Sequence, residues 1–202
     1  MTLYFAPLEG VTDAVFRRIH HECFPGVSKY FIPFISPTQN LAFTSRDWAA
    51  IAPENNIGVP AVPQLLAKDA ALFLWAARAL CDMGYPEVNL NLGCPSGTVT
   101  AKGKGSGLLA DVPALERLLD GIFEKPPIPV SIKTRIGYAR VEEWDRLLDP
   151  LSAWWSSTWC ALRAAAHGTA QRLRRTKRVI LFCVPKENQK STRYFRSAGG
   201  TN

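Results

Sequence analysis

The chain has 202 residues, a net charge of +7 and 47% hydrophobic residues, enough for one domain with a core but short of the roughly 250 residues of a complete (β/α)₈ barrel. The five cysteines are odd in number and widely spaced, which argues against a disulfide framework or a metal site and suits a reducing, cytoplasmic setting. We find no signal peptide and no apolar stretch of about 18 residues, so we expect no membrane span.

Short apolar runs alternate with helical patterns along residues 1–148. The sequence predicts, in chain order, a strand at 3–7, a helix at 13–22, strands at 29–34 and 59–65, a helix at 68–83, a strand at 88–92, a helix at 111–123, a strand at 130–134 and a helix from 142. Strands separated by helices imply parallel pairing. Either a doubly wound sheet or part of a closed barrel satisfies this pattern.

Polar residues lie within or just past the carboxyl halves of four of these strands. They are Glu9, Gln64, Asn89, Asn91, Cys94, Lys133 and Arg135. A barrel builds its chemistry on that face from several strands, whereas a doubly wound sheet concentrates ligand contacts at one switch point. We therefore expect an α/β fold that forms part of a TIM (β/α)₈ barrel, with about five βα units.

Cys94 lies between Gly93 and Pro95, directly after a predicted strand. A cysteine taken at random is more often a small buried hydrophobe. A turn at the carboxyl end of a strand instead holds the thiol over the site, where basic neighbours would let it act as an acid or a nucleophile.

The glycine-rich segment 93–107 matches neither the phosphate-binding loop nor the dinucleotide-binding pattern. A mobile or close-packed loop is the better interpretation. Lys102, Lys104 and Ser106 in this segment are candidates for contact with a polyanionic substrate, and a solvated basic loop is an equal alternative.

Lys133 falls on the same side of an apolar strand as Ser131, and a buried ammonium requires an anion or an electron-rich partner. The alternative for Lys133, and equally for Arg135, is a solvent-facing residue of an edge strand. Gln64 ends the third strand, and its amide can both donate to and accept from a heterocycle.

Five segments together resemble the tRNA-dihydrouridine synthases, in that family's order and at its spacing. They are APLEGVTDAVFR at 6–17, PFISP at 33–37, VPQLL at 62–66, EVNLNLGCPSGTVTAKGKGSGLL at 87–109 and VSIKTRIGY at 130–138. The Asn-x-Asn-x-Gly-Cys-Pro element with its following Lys/Gly-rich loop is the most specific of them.

The resemblance implies a (β/α)₈ barrel that binds FMN, uses NADPH as reductant and reduces uridines of tRNA to 5,6-dihydrouridine. By position it implies that Cys94 is the catalytic acid. It implies that the flavin is contacted by Pro7, Leu8, Glu9, Gln64 and Lys133. Weaker candidates for contact with the tRNA are Asn91, Lys102, Lys104 and Arg135.

Residues 149–202 match nothing in that family and form a basic tail. Residues 1–149 carry 14 Lys+Arg against 16 Asp+Glu, whereas residues 150–202 carry 10 Lys+Arg against one acid. A strand is predicted at 179–184, and disorder is expected at 186–202. A reading-frame shift near residue 148 would explain the abrupt change of composition, and we then expect weak or no FMN binding, an impaired enzyme and poor solubility.

Two other functions stay open at this point. One is another FMN-dependent barrel oxidoreductase that acts on a small molecule. The other is a non-catalytic RNA-binding fragment that uses the basic tail.

Overall fold

The computed structural model describes residues 3–153, 161–163 and 180–182. Six strands of the front part form two parallel sheets: β1 Leu3–Phe5, β2 Val27–Phe31, β3 Ala61–Val62, β4 Gln64–Leu65, β5 Val88–Leu92 and β6 Val130–Thr134. The first sheet has the order β1-β2-β3 and the second β4-β5-β6. The predicted α/β class with parallel strands is confirmed.

The two sheets meet at one interrupted strand, where the sequence predicted a single strand at 59–65. Only Pro63 separates β3 from β4, and a proline has no N–H to donate to a ladder. Its carbonyl still accepts from Asn89 N at 2.9 Å. Since β3 pairs with β2, and β4 with β5, all the paired strands of the front part follow one another in chain order.

This order bears on the choice between the two predicted architectures. In a doubly wound sheet the order of parallel strands reverses at a switch point, whereas in a barrel wall each strand neighbours the next. The described strands β1 to β6 show no such reversal. The observed order therefore favours the barrel-like alternative.

The first two strands end earlier than predicted. β1 ends at Phe5 rather than at residue 7, and β2 runs over Val27–Phe31 rather than 29–34. A proline follows each strand within two residues, at Pro7 and Pro33, and neither can extend a ladder as a donor.

Helices connect the strands, joined by short 3₁₀ turns. The helices are α1 Ala14–Cys23, α2 Ser45–Ile51, α3 Ala70–Asp82, α4 Gly97–Thr100, α5 Val112–Phe123 and α6 Trp144–Ala153, and the 3₁₀ turns are Pro53–Asn56, Gly105–Ala110 and Val141–Glu143. Asp13, Asp69 and Asp111 cap α1, α3 and α5, each accepting a backbone N–H three residues on. The helix predicted from residue 142 begins at Trp144, after a 3₁₀ turn.

One hydrophobic core lies between the second sheet and helices α3 and α5. Its fully buried members include Phe73, Ala76, Leu80, Val88, Leu90, Leu92, Leu115, Leu119, Ile122 and Val130. Because successive side chains of a strand point to opposite faces, the odd-numbered residues of β5 and β6 lie on the face away from this core. That second face carries the polar residues of the candidate site.

Beyond α6 the structure describes two antiparallel strands, β7 Ala161–Arg163 and β8 Ile180–Phe182. β8 falls within the strand predicted at 179–184. The segment 186–202, for which disorder is expected, lies outside the described residues. In the described part of the chain, no helix is both long and apolar enough to cross a membrane.

Candidate active site at the carboxyl ends of the strands

A row of buried polar side chains crosses β4, β5 and β6 on the face away from the core. Gln64 Nε2 donates to Asn89 Oδ1 at 2.8 Å, and Asn89 Nδ2 donates to Ser131 Oγ at 2.8 Å. Asn91 Nδ2 donates to Gln64 Oε1 at 2.6 Å. All four side chains are at most 2% exposed. Because each amide has a partner, the row fixes its members in place despite their burial.

Asn91 also holds the turn that carries the cysteine, residues 93–95, called here the thiol turn. Its Oδ1 accepts from Gly93 N at 3.0 Å and from Cys94 N at 2.9 Å. On the other side, the Cys94 carbonyl accepts from Ser106 N and from Ser106 Oγ, each at 3.0 Å. The half-buried Cys94 is thus anchored from two directions.

Lys133 lies opposite Asn91 in the parallel register of β5 and β6. It shares its face with Ser131, as the sequence predicted, and it is half-buried at the carboxyl end of β6. Gln64, Cys94 and Lys133 are therefore all neighbours of Asn91, which contacts the first two and is paired in register with the third.

Arg135 lies under the thiol turn rather than on an exposed edge. It is 5% exposed, and a Cβ atom placed on Gly93 would come within 3.6 Å of Arg135 Cγ. Burial lowers the pKa of the Arg135 guanidinium, and the nearby Tyr138 and Glu143 act in the opposite direction. The solvent-facing alternative for Arg135 is wrong.

The first strand leads into a separate turn. Leu8 N donates to Thr12 Oγ1 at 2.9 Å, and Glu9 forms an ion pair with Arg46 of α2. Pro7 is half-buried, whereas Leu8 and Glu9 are exposed. The described polar contacts of Leu8 stay within the turn, and that of Glu9 reaches α2, so none of them joins these residues to the thiol turn.

The glycine-rich loop is close-packed, one of the two predicted alternatives. A Cβ on Gly105, whose φ is +57°, would lie 2.8 Å from the Cys94 carbonyl oxygen. Lys104 Nζ donates to Ser36 Oγ at 2.6 Å, while Lys102 is exposed. Ser106 is fully buried and bonded to the thiol turn, so the expectation that it meets a polyanionic substrate is wrong.

Three residues that contact predicted site residues or their loops escaped the sequence analysis: Ser36, Arg46 and Lys68. Ser36 follows β2, and Lys68 follows β4, so both lie past the carboxyl ends of strands. A search for polar residues just past the carboxyl ends of strands, which identified Gln64 and Cys94, could also have found Ser36 and Lys68. Arg46 lies in α2, a helix that was not predicted.

A cavity of about 370 Å³ lies elsewhere, at the amino ends of β2, β3 and β5, where Lys29, Tyr85 and Glu87 line it. It is remote from the thiol turn because parallel strands place their amino and carboxyl ends on opposite sides. The described residues contain no group of three or more His, Cys, Asp or Glu side chains placed to hold a metal ion.

Two histidines of α1 lie outside the site. His20 and His21 are both half-buried. His20 Nδ1 lies 2.9 Å from the Tyr30 hydroxyl, and its ring packs on Phe5 with 4.5 Å between centroids. His20 thus packs against β1 and β2, and His21 packs edge-on against Tyr30 of β2.

Comparison with known proteins bears on the same segments. Residues 4–150 match the family model "Dihydrouridine synthase (Dus)". The "Probable tRNA-dihydrouridine synthase" of Staphylococcus epidermidis is 31% identical over 150 residues, which cover 69% of this chain and 42% of that protein. The protein of the same name from Rhodobacter capsulatus is 29% identical over 133 residues, covering 66% of this chain and 40% of that protein.

The chain thus spans less than half the length of the curated relatives it matches. The matched residues include the buried polar row, the thiol turn and the glycine-rich loop. With a family model matching well over half of its residues, the chain belongs to the dihydrouridine synthase family.

Proposed function

We propose that this chain carries the flavin-binding and proton-donating part of an enzyme that reduces uridine in tRNA to 5,6-dihydrouridine, with FMN as cofactor and NADPH as reductant. The parallel strands would form part of a (β/α) barrel, with the reaction at their carboxyl ends. The observation that supports this best is the hydrogen-bonded row Asn91–Gln64–Asn89–Ser131, in which Asn91 holds the thiol turn and is paired in register with Lys133.

The residues of this face fit a flavin ring by their chemistry. Gln64 uses one amide hydrogen and one oxygen lone pair within the row, so its amide keeps one donor and one acceptor for the polar edge of a ring. Lys133 adds a cation that suits an electron-rich ring. When bound, reduced FMN would supply the hydride that uracil C6 receives. Pro7, Leu8 and Glu9 would line the same cofactor from the first strand.

Cys94 would complete the reduction by donating its Sγ proton to uracil C5, so that the base gains one hydride and one proton. Asn91 and Ser106 hold the thiol turn and thereby fix where that proton is delivered. A paired base must leave its stack to reach such a thiol, which makes a flipped or unpaired uridine the substrate form. Family membership supports an RNA substrate over a small molecule.

A cysteine comparison tests the proposal. We expect Cys94→Ala to lower dihydrouridine formation in tRNA by about 10²-fold or more, the usual size of a lost general acid. Cys23→Ala serves as the control, because Cys23 is exposed at the end of α1 and the change there should leave the rate unaltered. Mass spectrometry of digested tRNA measures the product through its two added hydrogen atoms. Equal rates for the two variants would show that Cys94 is not the proton donor.

A further inference from the structure

Three lysines from two different loops lie together at the carboxyl end of the sheet. Lys102 and Lys104 belong to the loop after β5, whereas Lys68 follows β4. A Cβ atom on Gly103 would lie 3.9 Å from Lys68 Cδ, so the two loops are in contact. Lys104 Nζ also reaches Ser36 Oγ at 2.6 Å. Lys68, Lys102 and Lys104 are called here the lysine cluster.

The cluster has no acidic partner. Within the part of the chain that the structure describes, none of its three ammonium groups forms an ion pair with Asp or Glu. Burial lowers the pKa of the Lys104 ammonium, and the positive charges of Lys102 and Lys68 lower it further. Three mutually repelling cations are stabilised when an anion binds among them.

The cluster is rigidly connected to the candidate site. Gly105 follows Lys104 directly and packs against Cys94, and Ser106 donates two hydrogen bonds to the Cys94 carbonyl. An anion bound by the cluster would therefore lie at a fixed distance from the thiol turn.

We propose that the lysine cluster binds the phosphodiester backbone of the RNA beside the uridine that enters the site, an inference that rests on the proposed function. Lys68 and Lys102 are exposed, so their charges are spread over an open surface rather than enclosed in a cleft. An open row of cations suits successive phosphates of a polynucleotide better than the single pyrophosphate of a dinucleotide. The described cavity lies at the opposite ends of the strands.

The experiment measures the salt dependence of tRNA binding by the full chain. We compare the triple variant Lys68→Gln/Lys102→Gln/Lys104→Gln with a control that removes the same charge elsewhere, Arg78→Gln/Arg117→Gln/Lys125→Gln, whose residues are exposed on or next to α3 and α5. The slope of log affinity against log salt concentration should fall by about two to three in the cluster variant, since each lost phosphate contact removes just under one counterion. The control should keep the slope of the unmodified chain.

Other outcomes overturn the inference. Equal slopes for the two variants would mean that tRNA binding depends on net charge and not on the position of the lysine cluster. Salt-independent binding by the unmodified chain would mean that the lysines make no electrostatic contact with the RNA. If the cluster variant loses affinity for NADPH and keeps its tRNA slope, the cluster serves the dinucleotide instead. If the slope depends on the cluster but the chain reduces no uridine, this inference holds and the proposed function is refuted. If the chain reduces uridine but the slope does not depend on the cluster, only this inference is refuted.

Discussion

At the scale of single residues, Asn91 is the side chain that joins the parts of the candidate site. Its Nδ2 binds Gln64, and its Oδ1 binds the backbone of the thiol turn. The sequence marked Asn91 as a weak candidate for contact with the substrate. Because both ends of its amide bind protein groups, these contacts favour a positioning role, in which Asn91 acts through Cys94.

Arg17 is the largest fully buried charged residue and connects α1 to the segment after α2. Its guanidinium donates to Thr12 O and Ala50 O, each at 2.9 Å, and to Asn56 Oδ1 at 2.7 Å. Burial lowers the pKa of Arg17, while the nearby Tyr85 and Asp13 act in the opposite direction. Burial raises the pKa of Tyr85 to about 12. This network ties the first helix to the second.

Replacing Arg17 by methionine should lower the free energy of unfolding by about 3 kcal/mol, because three acceptors, two of them in buried hydrogen bonds, lose a charged donor. The adjacent Arg18 is exposed, so Arg18→Met should change stability by less than about 0.5 kcal/mol. Urea unfolding of the two variants measures the difference. Similar midpoints for both would show that the buried network contributes little to folding.

Residues of the site were predictable where strand position alone decides their place. Gln64, Cys94 and Lys133 could be singled out because each lies at or past the carboxyl end of a strand. Arg17 could not be assigned in the same way. Its place depends on which helices and turns meet in space, and no periodic pattern in one sequence carries that information.

At the scale of elements, the glycine-rich loop is shaped by close backbone contacts. Gly105 has a φ of +57°, and a Cβ there would lie 2.8 Å from the Cys94 carbonyl oxygen. Gly103 has a similar φ of +66°, but a Cβ there would meet only the end of a lysine stem at 3.9 Å. The two positions share the backbone strain of a left-handed residue and differ in the contact.

This difference makes a matched pair of variants. Gly103→Ala should destabilise the chain by about 1 kcal/mol, the cost of a left-handed alanine. Gly105→Ala should cost about 2 kcal/mol more and displace the thiol turn, since the new methyl group overlaps a backbone oxygen. Thermal unfolding gives the stabilities, and the alkylation rate of the Cys94 peptide reports the displacement. An unchanged alkylation rate in Gly105→Ala would mean that the loop does not position the thiol.

The elements were predicted unevenly, for physical reasons. The bounds of β5 and β6 were predicted correctly because apolar and polar residues alternate in both strands and turn residues flank them. The helix α2 was not predicted, because Ile51 is its single buried residue and no apolar stripe marks it. Its signal is the capping box of Thr44 and Asp47, which a search for caps would have found.

At the scale of the whole molecule, family similarity and positive charge lie in different parts of the chain. The family match ends at residue 150. Residues 150–202 carry 10 Lys+Arg against one acid. The proposed RNA binding would therefore have two electrostatic contributions, one from the tail and one from the lysine cluster, and matched charge variants are needed to separate them.

The measurement that tests the central claim most directly is an FMN titration followed by quenching of flavin fluorescence, at protein concentrations high enough to detect weak binding. We expect saturable binding that Lys133→Met weakens about tenfold, or ~1.4 kcal/mol, because a cation beside the ring is lost. Lys125→Met removes an exposed lysine in the connection between α5 and β6, on the amino side of that strand, and should leave the affinity unchanged. Equal affinities for the two variants would contradict a flavin site on the face shared by Gln64, Cys94 and Lys133.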